Sequence, residues 1–260
     1  YDYVLDLQGL FRSAVLTATA RSKNKFGVAD GREFSTFFYS CIGEKCRKKQ
    51  LHAIDRLVPF LEKIGVANKT TPITYMNSSA AIKSFTGKNG GAVCTSSNAT
   101  RAMNWAFAKG DKVLFLPDQH LGRNTAVLNL GLSLEDCVIW NPWKTNGGLS
   151  EELIQKAKVI LWRGHCSVHG RFSVENINQV RAKISGVKVL VHPECQHDVV
   201  SNADVVGSTE MIIKTVKESA AGSKWAVGTE LNLVQRLANE NPDKQVVFLD
   251  KTVCYCSTMN

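Results

Sequence analysis

From about residue 73 onward one element recurs: a short apolar run ends in small polar residues, and a helical segment follows. ITYMN runs into SSAAIKSF, GAVC into TSSNATRAMNWAFA, KVLVHPEC into QHDVVSNA, and ADVVGS into TEMIIKTVKE. KVLFLPDQHLGRN and AKVILWRGHCSVH read as further strand–loop stretches. Apolar runs of this length, rich in β-branched residues and alternating with helices, are the signature of parallel strands covered on both faces. The expected fold class is therefore α/β: repeated three-layer domains with short parallel sheets around a central cleft.

Parallel sheets of this kind collect ligands beyond the carboxyl ends of their strands. A Ser or Thr there can cap the next helix, whose free N–H groups also attract an anion. Ser96, Ser97, Ser208 and Thr209 occupy such positions. Capping explains any one of them; several meeting in one cleft would favour a carboxylate or phosphate ligand.

Residues 1–70 read differently. YDYVLDLQGL has the pattern of a strand with a turn, and STFFYS is an aromatic patch. In LHAIDRLVPFLEKIGV the apolar residues Leu51, Ile54, Leu57, Val58, Leu61 and Ile64 fall at helical spacing, with Gly65 as the stop. The polar stretch ANKTTP at 67–72 is the expected boundary. This divides the chain into 1–71 and 72–260, the latter into domains of about 72–165 and 166–260.

The formal net charge of +9 is spread along the chain, and the tightest basic run, KCRKKQ, is short. Without aromatic–basic interleaving, nucleic acid is not an expected partner, whereas small anionic substrates suit the charge. No apolar run approaches a membrane span, and the first residues lack the pattern of a secretory signal. Eight cysteines without such a signal fit a reducing, cytoplasmic setting, where thiols bind metal or do chemistry more often than they form disulfides.

WRGHCSVHGRFS places His165, Cys166 and His169 together in a chain with only 6 histidines. No C-x-x-C pair is present, so a zinc finger is not expected. An iron–sulfur cluster held by dispersed thiolates, a thiol–imidazole pair and an unliganded loop cysteine all remain compatible with the spacing. In HPEC, His192 and Glu194 share one side of an extended segment, which suits either an acid–base pair or a polar edge.

The segments YMNSSAAIKSF, AVCTSSNA, LFLPDQHLGRNTA, WRGHCSVHGRF, VLVHPEC, ADVVGSTEMI, KWAVGTELNLVQRLA and KTVCYCSTMN occur in this order. Together they resemble the quinolinate synthases, iron–sulfur enzymes of NAD biosynthesis, over roughly residues 72–260. The resemblance implies α/β domains around a 4Fe–4S cluster held by one cysteine from each of three domains, with one iron open. It implies condensation of iminoaspartate with dihydroxyacetone phosphate to quinolinate. It also implies Cys166 and Cys254 as cluster ligands, with Cys256 the weaker choice beside Cys254. Tyr75, His169, His192 and Glu194 fall in the catalytic set, Glu194 as proton carrier. Asn77, Ser96, Ser208 and Thr209 match substrate contacts. Cys94 and Cys195 lie in matching motifs without an implied role, and Cys137 has none.

The family's first domain, with its third cluster cysteine, would precede residue 72 and is not recognisable there. Neither Cys41 nor Cys46 matches a family motif. YDYVLDLQGLFRSA, GREFSTFFYS and LHAIDRLVPFLEKIGV instead resemble lipopolysaccharide heptosyltransferases. The competing readings are accordingly a heptosyl-class glycosyltransferase fragment and an inactive chimeric remnant.

Overall fold

A computed structural model describes residues 3–6, 10–27, 35–39, 41–42 and 53–250. Chain contacts divide it into two units, with the boundary between His52 and Ala53. In the first unit, strands β1 (Tyr3–Asp6), β2 (Asn24–Gly27) and β3 (Cys41–Ile42) pair in parallel in that order, and helix α1 (Phe11–Thr19) joins the first two. The strand expected near the start is present as β1.

The second unit opens with α2 (Ala53–Lys63), the helix expected from the apolar spacing. Gly65 follows at φ 71°, a left-handed position that suits a residue without a side chain. The stripe Ile54, Leu57, Phe60 and Leu61 is buried against Trp140, Ile154 and Trp162. A fully buried leucine such as Leu57 contributes about 1.5–3 kcal/mol relative to exposure. That burial places α2 with the residues that follow it. The polar stretch expected as a boundary lies inside the unit, as a turn at Ala67–Lys69 running into the next strand.

Next come β4 (Thr70–Tyr75), α3 (Ala80–Lys88), β5 (Ala92–Cys94), α4 (Ala99–Phe107), β6 (Lys112–Leu116), α5 (Gln119–Asn124), β7 (Cys137–Trp140), α6 (Glu151–Lys156) and β8 (Val159–Trp162). The five strands form a parallel sheet in the order β5-β4-β6-β8-β7. Strand alternation assigns the two faces. Val113, Phe115, Val159 and Leu161 pack with Met103 and Leu121, while Leu114, Leu116, Ile160 and Trp162 pack with Leu57 and Ile154. Helices thus cover both sides.

A second parallel sheet is built from α7 (Val174–Lys183), β9 (Lys188–Val191), α8 (His197–Asn202), β10 (Val205–Val206), α9 (Thr209–Glu218), β11 (Lys224–Gly228), α10 (Leu231–Glu240) and β12 (Gln245–Phe248). Its order is β10-β9-β11-β12. Val189 and Val191 face Ile177 and Val199, and Leu190 and Val227 face Ile212 and Leu237. The expectation of repeated helix–sheet–helix layers with parallel strands holds. LFLPDQHLGRN departs from the strand–loop reading, because the chain turns directly into α5 after β6. No described helix is long and apolar enough to cross a membrane.

Candidate active site

The site forms where the carboxyl ends of both sheets in the second unit meet. Leaving β8, the chain reaches Cys166, which packs half-buried against the inner cores of both sheets. Its backbone N–H donates to Asp118 Oδ2 at 3.0 Å. The other oxygen of Asp118 accepts from the Leu121 N–H at 2.7 Å and so caps α5. One turn beyond Cys166, His169 is buried; its Nε2 lies 3.2 Å from Thr229 Oγ1, beyond the end of β11.

Leaving β9, the chain passes through His192, Pro193 and Glu194. The Glu194 carboxylate is buried between the two imidazoles, with Oε2 2.8 Å from His169 Nδ1 and 3.2 Å from His192 Nδ1. The rings stack at 4.4 Å and 18°. The Glu194 backbone nitrogen also lies 3.4 Å from His192 Nδ1. Asn124, 1% exposed at the end of α5, donates to the carbonyls of Pro193 at 2.7 Å and Cys195 at 2.8 Å, on either side of Glu194.

The electrostatics follow from this packing. Burial works against charge on both His169 and Glu194, but their contact overcomes it. His169, also in contact with Cys166, is raised to about 9, and Glu194 is lowered to about 2 by the two histidines. His192 is lowered by burial and by the neighbouring His169 charge, so it stays neutral. Burial and the Glu194 charge push Asp118 up to about 8. Tyr75, 5% exposed at the end of β4, is held protonated by burial and by the Glu194 and Asp118 charges. The site at neutral pH is an ion pair flanked by a neutral imidazole and a phenol.

Beside this centre lies a cavity of about 370 Å³, lined among others by Ser96, Ser97, Thr125, Pro193 and Ser208. Ser208 caps α9 by accepting from the Met211 N–H at 3.3 Å. Ser96 and Ser97 are not the cap of α4, which is Asn98. The exposed Asn77 donates to Tyr75 Oη at 3.3 Å. Thr209 is exposed and outside the cavity lining.

The structure thus brings Tyr75, Cys166, His169, His192 and Glu194 together, with Ser96 and Ser208 on the adjoining cavity. Cys254, Cys256 and Cys46 lie outside the described residues. Cys94 and Cys195 are core residues whose thiols burial raises, Cys94 to about 12; the half-buried Cys137 is raised to about 11 for the same reason. Sequence reasoning passed over Asp118, Asn124 and Thr229. Asp118 and Thr229 follow the ends of β6 and β11, so the strand-end rule applied to Ser96 also finds them. Nothing local marks Asn124.

Residues 41–260 match the family Quinolinate synthetase A protein. The chain belongs to this family. Quinolinate synthase of Streptomyces coelicolor is 66% identical over 202 residues, covering 77% of this chain and 51% of that protein. Quinolinate synthase of a Nocardioides species is 62% identical over 206 residues, covering 77% of this chain and 52% of that protein. The Bacillus subtilis quinolinate synthase is 52% identical over 194 residues, with 73% and 51% covered. The chain therefore spans about half the length of the curated relatives it matches. The quinolinate synthetase match also takes in α2, which corrects the placement of LHAIDRLVPFLEKIGV in a heptosyltransferase segment. The relatives found lend no support to the glycosyltransferase reading.

Proposed function

We propose that this chain carries a quinolinate synthase active site, in which iminoaspartate and dihydroxyacetone phosphate condense to quinolinate at a 4Fe–4S cluster. The observation that carries the reading is the meeting of Cys166, His169 and Glu194, with one ligating atom of each within 4.8 Å of the others. The donor chemistry suits a cluster at Cys166: among the described cysteines it alone reaches the junction of both sheets with its neighbours already held in place. Cys254 is the proposed second ligand and a third thiolate completes the set. Held by three thiolates, such a cluster supplies an open iron with Lewis acidity toward a substrate oxygen.

The chain's own residues supply the rest. Glu194, ionised between His169 and His192, is placed to take a proton from substrate, and His169 holds one at Nδ1 to return. Tyr75 stays a hydrogen-bond donor because its phenol cannot ionise in this surrounding. Asn77, Ser96 and Ser208, with Thr209 beside them at the start of α9, are proposed to bind the carboxylate and phosphate groups of the substrates. Under this reading the two sheets mark two domains dividing near residues 165–166. The molecule works in the cytoplasm on small anions and not on nucleic acid.

Anaerobic reconstitution tests the proposal. Iron and sulfide should reach one cluster per chain with broad visible absorption, and quinolinate should form from the two substrates. Cys166→Ser should lose the colour, and Glu194→Gln should keep it while losing turnover. A chain that binds less than one cluster's worth of iron and sulfide contradicts the proposal.

A further inference from the structure

The cavity beside the catalytic centre contains a hydroxyl that the fold leaves unused. Thr125 lines this cavity and is only 4% exposed. Among the described residues its Oγ1 has no hydrogen-bond partner, yet the atom is not sealed off, so it opens onto the cavity. A threonine in a helix commonly donates its hydroxyl to the carbonyl four residues earlier. Thr17 and Thr86 do this, to Ser13 O at 3.0 Å and Ile82 O at 2.9 Å. Thr125 instead begins a π-helical turn, Thr125–Asn129, closed by the Leu130 N–H donating to Thr125 O at 3.2 Å. Such wide turns are rare and recur at functional sites.

Two helix starts reach the same cavity. Thr100, in the first turn of α4, lines it, and so do Ser208 and Met211 at the start of α9. The side chain of Asn98 does not cap α4, because its Oδ1 accepts from the Thr95 N–H at 2.7 Å and the Thr95 hydroxyl at 3.2 Å. The first N–H groups of α4 therefore lack a side-chain acceptor. At α9, Ser208 takes the Met211 N–H and leaves the earlier ones. Glu210, the acidic residue of that turn, is exposed and outside the lining. None of the described residues lining the cavity is charged. A site of this kind holds an oxyanion by donated hydrogen bonds and helix dipoles, without a cationic side chain.

We propose that Thr125 is a further substrate-binding residue, its hydroxyl donating to an oxyanion oxygen held between the starts of α4 and α9. The assignment of that oxyanion to a substrate rests on the quinolinate synthase reading, whose substrates carry a phosphate on one molecule and carboxylates on the other. The hydroxyl is buried and has no competing partner in the fold, so its hydrogen bond to a charged oxygen is available in full.

The test measures the melting temperature of the metal-free full chain against rising inorganic phosphate and, separately, malonate. The native chain should be stabilised by at least one of them. Thr125→Val, which removes the hydroxyl and nearly keeps the shape, should weaken that anion about 10-fold or more, whereas Thr125→Ser should stay within about 3-fold of native. Without anion, Thr125→Val should melt no lower than the native chain, since no internal hydrogen bond is lost. Thr86→Val, which removes the 2.9 Å bond to Ile82 O, should melt lower. Phosphate as the weakened probe assigns Thr125 to the triose phosphate; malonate assigns it to iminoaspartate.

No response of the native chain to either probe, unchanged affinity for both in Thr125→Val, or an anion-free melting temperature for Thr125→Val as low as that of Thr86→Val overturns the proposal. Iron and sulfide uptake by the native chain separates this outcome from the fate of the quinolinate synthase reading. A cluster that fails to form defeats that reading and leaves the anion measurements, made without metal, as they stand.

Discussion

Replacing Asn124 with alanine removes one amide that serves two backbone carbonyls and one imidazole. Its Nδ2 donates to Pro193 O at 2.7 Å and Cys195 O at 2.8 Å, and its Oδ1 lies 2.9 Å from His197 Nδ1. The side chain is 1% exposed, so water does not readily replace it. Each buried group left without a partner costs about 1–3 kcal/mol. The Cys195 carbonyl bears the full cost; the half-buried Pro193 bears less, because solvent reaches it. A loss of about 3 kcal/mol follows from the unpaired groups. At about 2–4 °C per kcal/mol for a unit of this size, the melting temperature should fall by roughly 6–12 °C. Asn124→Asp keeps the shape but points an oxygen at two carbonyls, so it should destabilise at least as much. Asn202→Ala is the control: its side chain also donates to a carbonyl, Asp198 O at 2.8 Å, but in an exposed setting, and should cost under about 0.5 kcal/mol. Urea and thermal unfolding measure all three. If Asn124→Ala matches the control, α5 does not hold the Glu194 loop and the account of the site's rigidity fails.

Gly122→Ala should lower stability by about 1–3 kcal/mol by overpacking, read from the same unfolding curves. An added Cβ would stand 2.6 Å from Leu161 Cδ2 and 2.8 Å from Phe115 Cδ1, both in a full core. Asp204 carries a depressed carboxyl: its partial burial works the other way, but the Val189 N–H at 2.6 Å and Arg181 at 2.9 Å outweigh it. Because the folded value is the lower one, this stabilisation is whole above the unfolded carboxylate value of about 3.9 and is lost as pH falls through the folded value. The stability gap between the native protein and Asp204→Asn should therefore be constant from pH 7 to about 5 and close below about 4. Iodoacetamide at pH 8, followed by site-resolved mass spectrometry, should modify Cys166 at least ten times faster than Cys94 or Cys195, which burial keeps protonated and covered. Equal rates would show that these two thiols are not core residues.

The α/β class was legible because parallel strands covered on both faces must be written as short apolar runs, and KVLFL, VILW and KVLV are such runs. The face that each residue takes was legible too, from alternation alone. The boundary was not. ANKTTP looks like a linker by composition, yet α2 before it carries an apolar stripe that only the following sheet covers. Composition reports local solubility, and domain membership is decided by where an apolar face finds its partner. At the site, the strand-end rule pointed to Ser96 and Ser208, and alternation put His192 and Glu194 on one side of an extended segment, but rules of spacing could not join Cys166 to Glu194. They belong to different sheets, and their approach is a property of tertiary packing. Asn124 was invisible for the same reason, since its two acceptors are backbone carbonyls of the other sheet's loop.

That last pair of hydrogen bonds bears on how the two sheets act as one site. Helix α5 leaves β6 of the first sheet, anchors the Cys166 loop through Asp118 at its start, and anchors the Glu194 loop through Asn124 at its end. A six-residue helix rises about 9 Å along its axis. The spacing between thiol and carboxylate is thereby tied to the length of one short, buried helix. A residue inserted into α5 cannot be absorbed, because it would rotate Asn124 by about 100° away from both carbonyls while Asp118 stayed in place. The thiol and the carboxylate would then separate even with every functional side chain still present.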